Sequence, residues 1–421
     1  MKVIVAHPGK QHSFQTAQAL KRTDDLFAYI TTIYDKPGSL TNFLNRCILK
    51  GDAKKKGSGR RCEALQDNEV IQFCELRSLL NLFLSKIKLP SKFKVWMNDS
   101  MADSFGRKVA RYAIKNNVDA VIMYDCTSNS CFEMLKERAP NIKRILDVSI
   151  SHRAFLKDTY EKDITLTGDV CVKEENLFLW NEHNMSRYLD EVKLAQHFLV
   201  ASKVVSQSIQ EHGGNASKIY RIPYGVNSKR FDYQRKKSLA KPLNMLYVGQ
   251  VNHRKGIHHL FHVMERFSED DICVKLAGSI DKSSELYTRY VGKKNIEFCG
   301  FVTSDRLAKL YKDSDVFVFP TIGEGFGLVV LEALSCGVPV IITNLAGGND
   351  AIITGVNGIE YDALNEDELE KAIRWFLDHP EKLPEMSEAA RRTAEQYTWE
   401  RYYEQVSEAV NDIVGRKENN E

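Results

Sequence analysis

Between Ser314 and Thr343 the chain reads S-D-V-F-V-F-P-T-I-G-E-G-F-G-L-V-V-L-E-A-L-S-C-G-V-P-V-I-I-T. The β-branched and aromatic run before Pro320 has no polar alternation, so it reads as a strand buried on both faces. The apolar stretch from Leu328 reads as a helix, and a second buried strand follows. A strand with two apolar faces needs a covering layer on each side, which points to a parallel sheet between helices. Between strand and helix stand Gly323, Gly325 and Gly327. Glycines there let the backbone approach a ligand, and the open N–H groups of the helix start suit an anion.

Two carboxylates bracket this turn, Glu324 in the loop and Glu332 in the helix. Positions 328, 331 and 335 share a helix face and Glu332 sits one residue off it, directed along a ligand cleft. An acid in so apolar a helix needs a partner, because an unpaired buried carboxylate is costly. Vicinal hydroxyls of a sugar or ribose would supply one.

The strand, loop and helix unit recurs along the chain. Val3 to Ala6 is a strand, followed by a loop with Gly9, Lys10, Gln11 and His12 and a helix from Ser13, the expected N-cap. Such a loop faces the carboxyl edge of a Rossmann-type sheet, where ligands bind, which makes Gly9 a candidate. Strands at 120–124 and 143–148 follow, the second leading to His152, placed just past a strand end. Residues 174–194 read as one long helix, and 203–212 as a helix capped by Ser202 and closed by Gly213 and Gly214. At 421 residues the chain exceeds a single core. The polar, proline-terminated stretch 236–242 is the natural hinge. The expected division is therefore 1–235, 242–395 and a helical terminus, 396–421.

The second unit opens with a strand at 243–248 and the loop Gly249-Gln-Val-Asn-His-Arg-Lys-Gly256. Arg254 and Lys255, two cations just before a helix, suit a diphosphate without a metal. No Asp-x-Asp stands at a strand end. His258 and His262 lie one turn apart, but no third ligand is evident, so a solvated helix face is the plainer reading.

Net charge is only +3, which excludes a broad nucleic-acid-binding surface. Nine cysteines without a C-x2-C pair suit reduced thiols rather than a disulfide framework. The chain enters a strand at once, with no signal-peptide core, and no apolar run is long enough to cross a bilayer. A cytoplasmic protein is expected. Residues 43–61 and 79–88 combine apolar side chains with Lys50, Lys54, Lys55, Lys56, Arg60 and Arg61. These are either solvated loops or a surface for anionic lipid, which would add peripheral contact with the inner face of a membrane.

The string from Thr321 through Ala-Leu-Ser-Cys-Gly-Val-Pro-Val-Ile resembles the E-x7-E signature of retaining glycosyltransferases of family four. Residues 218–231 resemble the segment that closes that family's first domain. Asn344 to Asp350 resemble its glycine-rich loop, although Ala351-Ile-Ile stands where many members have Glu-Ile. The resemblance implies an α/β chain of two Rossmann-like domains facing across a cleft, the GT-B arrangement. It implies a nucleotide-sugar donor, UDP- or GDP-linked, on the second domain and a glycan or lipid-linked acceptor on the first. Arg254 and Lys255 would hold the donor phosphates with no metal or other cofactor. Glu324 would grip the sugar and Glu332 the ribose, while Gly249, Gly325, Phe326, Gly327 and Leu328 line the donor. Phe301 and Val302 would flank the base, and His152 would orient the sugar from the first domain. The final helix would cross back onto that domain. The same scaffold also serves a nucleotide-sugar epimerase, which needs no acceptor, and a non-catalytic nucleotide-sugar binder.

Overall fold

The computed structural model of the chain describes residues 1–9, 12–48, 57–84, 91–228, 230–231, 233, 236 and 241–415. Its first sheet comprises β1 (Val3–Ala6), β2 (Leu26–Thr31), β3 (Val70–Gln72), β4 (Ala120–Tyr124), β5 (Lys143–Val148), β6 (His197–Val200) and β7 (Ile219–Arg221). The strands are parallel in the order β3-β2-β1-β4-β5-β6-β7. The second sheet holds β8 (Leu243–Val248), β9 (Ile272–Ala277), β10 (Ile296–Gly300), β11 (Val316–Phe319), β12 (Val340–Thr343) and β13 (Gly358–Tyr361). It too is parallel, ordered β10-β9-β8-β11-β12-β13.

Continuous apolar strands produce this layering. In β1, Val3 and Val5 enter one core while Ile4 and Ala6 enter another on the opposite face, and all four are fully buried. Side chains alternate across a strand, so a sheet whose every position is apolar must bury both faces under helices.

The chain passes between the halves twice. The first passage lies between β7 and β8. The second lies ahead of the helix Trp399–Val414, which returns to pack on the helix Ser13–Arg22. There Tyr402 Oη bonds Thr16 Oγ1 at 2.9 Å, and the Arg22 guanidinium sits 4.2 Å from the Tyr403 ring centroid.

Three local expectations are corrected. Ser13 is the first helical residue rather than the cap. His12 holds the capping position, and Ser13 Oγ pairs with Tyr29 Oη at 2.9 Å inside the core. Residues 174–194 are three pieces, Cys171–Glu175, Leu177–Trp180 and Glu182–Leu194, broken at Asn176 and Asn181. Asn181 Oδ1 accepts from Asn184 N at 3.0 Å, so the side chain starts a new helix instead of continuing the old one. The stretches 43–61 and 79–88, expected as solvated loops or a lipid-facing surface, belong in part to helices: Leu40–Cys47, Glu75–Leu84 and Ser91–Lys115 stand around the edge strand β3. Of the basic cluster, Lys50 and Lys54 to Lys56 lie outside the described residues, as do Lys86 and Lys88; Arg61 pairs with Asp67 at 3.0 Å. No helix among the described residues is long and apolar enough to cross a membrane.

Candidate active site

In the second sheet, strand order runs outward in opposite directions from β8 and β11, which pair with each other. The loops leaving their carboxyl ends therefore diverge over a crevice, the usual ligand position in such sheets. These are residues 249–256 and 320–327.

Asn252 starts the first loop's single 3-10 turn, His253–Lys255, by accepting from Lys255 N at 3.1 Å. Gly256 ends it at φ 66°, and a Cβ there would lie 1.8 Å from the Pro320 carbonyl oxygen. Only glycine lets the two loops touch in this way. The contact brings both cations onto one acid. The Lys255 ammonium donates to the Glu324 carboxylate and rests 5.5 Å from the Phe319 ring centroid. Arg254 Nη1 lies 3.8 Å from the same carboxylate and donates to Gly323 O at 3.2 Å. Burial lowers the Lys255 pKa, with Glu324 opposing the shift and Arg254 adding to it.

The helix Leu328–Ser335 begins immediately beyond, with Gly327 at the cap and no side chain bonded to its first N–H groups. Unpartnered N–H groups at a helix start carry partial positive charge. Two cations and a helix start thus surround one carboxylate.

Glu332 lies within that helix. Its partner is Tyr311, whose hydroxyl donates at 3.2 Å, where the sequence argument anticipated a ligand hydroxyl. Burial raises the Glu332 pKa, while Tyr311 and the nearby Arg230 pull it back down.

The loop is seated against the first domain. A Cβ at Gly325 would lie 1.9 Å from Ser149 O, and Gly325 O accepts from Ser202 Oγ at 2.6 Å. Phe326 is buried, with its ring 5.3 Å from Tyr224 and 6.5 Å from Tyr397, so its side chain wedges the domain junction. Leu328 is partly exposed at the helix start. Gly249 follows β8 and donates to Ala277 O at 3.0 Å, with its carbonyl backed by Gly278. Gly9 stands across the junction on the first domain and donates to His7 Nδ1 at 2.9 Å. Phe301 projects into solvent at 88% exposure just after β10, while Val302 packs partly against the core.

His152 does not face the crevice. It is fully buried, and Nδ1 accepts from Ala154 N at 3.3 Å to cap the helix Arg153–Thr167. Its ring stacks on His212 at 4.4 Å, and burial, together with His212 and Arg153, lowers its pKa to about 4. A neutral, enclosed imidazole is a capping group here, so the expected contact with the sugar is corrected.

One further feature, Glu175, had no sequence signal, while His12 belongs to the loop already singled out after β1. Glu175, from the first domain, accepts from His253 N at 3.0 Å, Arg254 N at 3.3 Å and His253 Nδ1 at 2.8 Å. It steadies the loop 249–256 from across the junction. His12 bonds Asp147 at 2.9 Å and Tyr224 Oη at 3.1 Å, next to the Phe326 wedge. Away from this crevice, a cavity of about 730 Å³ on the first domain is lined by Trp96, Phe178, Asp103 and Arg187.

Comparison with known proteins gives the geometry a context. Residues 229–393 match the model of the family described as glycosyl transferases group 1. An uncharacterised glycosyltransferase of Methanocaldococcus jannaschii is 29% identical over 206 residues, 45% of this chain and 52% of that one. Glycogen synthase of Mycobacterium tuberculosis is 26% identical over 216 residues, 50% of this chain and 52% of that one. The chain thus spans about half the length of the curated relatives it matches. Among solved structures, sucrose-phosphate synthase from Thermosynechococcus elongatus superposes with a TM-score of 0.69 and 17% identity, covering 99% of this chain and 100% of that one. HepE of Anabaena, in complex with UDP, superposes at 0.61 with 14% identity over 98% and 100%. The whole chain therefore has the GT-B fold, and its residues 229–393, which carry both crevice loops, match the family model of the group 1 glycosyl transferases.

Proposed function

We propose that the chain transfers a sugar from a nucleoside-diphosphate donor to a hydroxyl acceptor, with retention at the anomeric carbon and no metal in the chemical step. One observation carries the reading: Arg254 and Lys255 converge on Glu324 beside an uncapped helix start, at the point where strand order reverses. An entering diphosphate replaces the Glu324 carboxylate on Lys255. Its growing charge, as the glycosidic bond breaks, is met by both cations and the N–H groups near Phe326 to Leu328. Each charged hydrogen bond of this kind contributes about 1.5–3 kcal/mol. Glu324, released from Lys255, accepts from sugar hydroxyls, and Glu332 accepts from the ribose. UDP-sugars are the first donors to try, since HepE is seen with UDP on the same fold.

The first domain would present the acceptor. Its exposed apolar side chains include Phe43, Leu80, Phe83 and Trp96, which suits a lipid-linked acceptor or the membrane surface that carries one. The test is release of nucleoside diphosphate by the full chain from UDP- and GDP-sugars, with and without candidate acceptors. Acceptor-dependent release that is unchanged by added magnesium or manganese supports the reading. Conversion of the donor alone into a different nucleotide sugar, or a strict requirement for either ion, overturns it.

A further inference from the structure

Behind the phosphate-type loop the two domains meet through a cluster of imidazoles and carboxylates that the proposed reaction does not use. Asp163, from the helix Arg153–Thr167 of the first domain, reaches His258 and His259 at the start of the helix Ile257–Met264 in the second. All three are at least 97% buried, with exposures of 1%, 2% and 3%. His259 Nε2 lies 2.8 Å from Asp163 Oδ1 and His258 Nε2 lies 3.3 Å from Oδ2. One ligand atom from each of the three falls within 4.8 Å of the others.

We propose that Asp163, His258 and His259 bind a divalent transition ion of the zinc class, which staples the two domains together. Imidazole nitrogens and a carboxylate are the donors such ions prefer, and a tetrahedral site with bonds near 2 Å sets its ligand atoms about 3.3 Å apart.

The surroundings of His259 are those of a metal ligand. Its Nδ1 is 3.0 Å from Glu366 Oε1, which fixes the proton on Nδ1 and leaves the Nε2 lone pair free for an ion. Glu366 is itself held by Arg266 at 2.7 Å. His258 has no such backing group. Its Nδ1 is buried with no hydrogen-bond partner among the described residues, so this imidazole's polar contacts run through Nε2 alone.

The pair considered from sequence, His258 with His262, is not the one the fold assembles. The third ligand lies far upstream on the other domain, where no local spacing could reveal it. The adjacent group of Asp169, Cys171 and His253 is more exposed.

The test uses the full chain, stripped with chelator and then desalted after exposure to zinc or cobalt alone. Wild type should retain about one ion, show visible cobalt absorption, and melt at a higher temperature with zinc than with chelator. Asp163→Asn and His259→Gln should lose the ion, whereas Cys171→Ala should keep it. Glu366→Gln should weaken affinity by about 10- to 100-fold, the scale for removing the group behind a ligand histidine. Should the substitutions prevent folding, the zinc-dependent melting shift and cobalt spectrum of wild type decide alone. Wild type retaining neither ion would leave only a proton shared among Asp163, His259 and Glu366, and would overturn the proposal. So would loss of the ion in Cys171→Ala with retention in Asp163→Asn.

Discussion

Lys255 donates to Glu324 across 69 residues of sequence, so the acid of one crevice loop occupies the cation of the other. On the proposed function a donor breaks this pair before it binds, and until then the carboxylate keeps a largely buried ammonium compensated.

Removing the ammonium tests that exchange. Lys255→Ala is expected to lower the single-turnover rate by about 10² to 10³-fold, the scale for losing one preorganised donor to a developing charge. Rapid-quench measurement of donor cleavage checks it. Equal rates in variant and wild type would leave the leaving group without its proposed support.

Glu332 predicts a pH dependence in donor binding. Burial raises its pKa above the ordinary carboxylate value. If Glu332 holds the ribose as proposed, the ribose hydroxyls donate to the ionised form, and wild-type KM for the donor should rise as pH falls through that raised pKa. In Glu332→Gln, KM should be higher near neutrality and flat over the same interval. Parallel KM–pH profiles for the two proteins would place the ribose elsewhere.

At Gly325 the domains touch through backbone. A methyl group there would meet Ser149 O at 1.9 Å, a carbonyl that cannot turn aside as a side-chain tip would. Gly325→Ala should hold the halves apart, seen as a larger radius of gyration by small-angle scattering together with reduced turnover. An unchanged scattering profile would show that this contact does not set domain spacing.

The returning helix supports the first domain. Tyr402 is 2% exposed and bonds Thr16 from the opposite end of the chain. Tyr402→Ala should destabilise that domain by about 3 kcal/mol, as large-to-small changes at buried aromatics do. Urea unfolding measures it, and a change under about 1 kcal/mol would mean that the helix merely rests on the surface.

Much of this architecture could be read before any coordinates, because buried parallel strands announce themselves as unbroken apolar runs. Val316 to Phe319 and Val3 to Ala6 needed no tertiary information. The placement of Arg254, Lys255 and Glu324 at the crevice, though not their roles, was legible for a related reason: each sits in a loop whose glycines and neighbouring strand reveal its place in the sheet. Glu175, Asp163 and Tyr311 were not. Their roles depend on which helix faces which loop across the junction, and nothing periodic in their own segments records that. His152 misled because the end of a strand and the cap of the next helix are the same few residues. Position alone cannot say which way the ring turns.

Because the polypeptide joins its halves at two separate places, their relative motion resembles a door on paired pins rather than a bead on a thread. Such a mounting permits swing about the line through both pins and resists sliding or twisting. Any swing that separates the loops around Gly325 and Ser149 is therefore expected to bring them back to the same register.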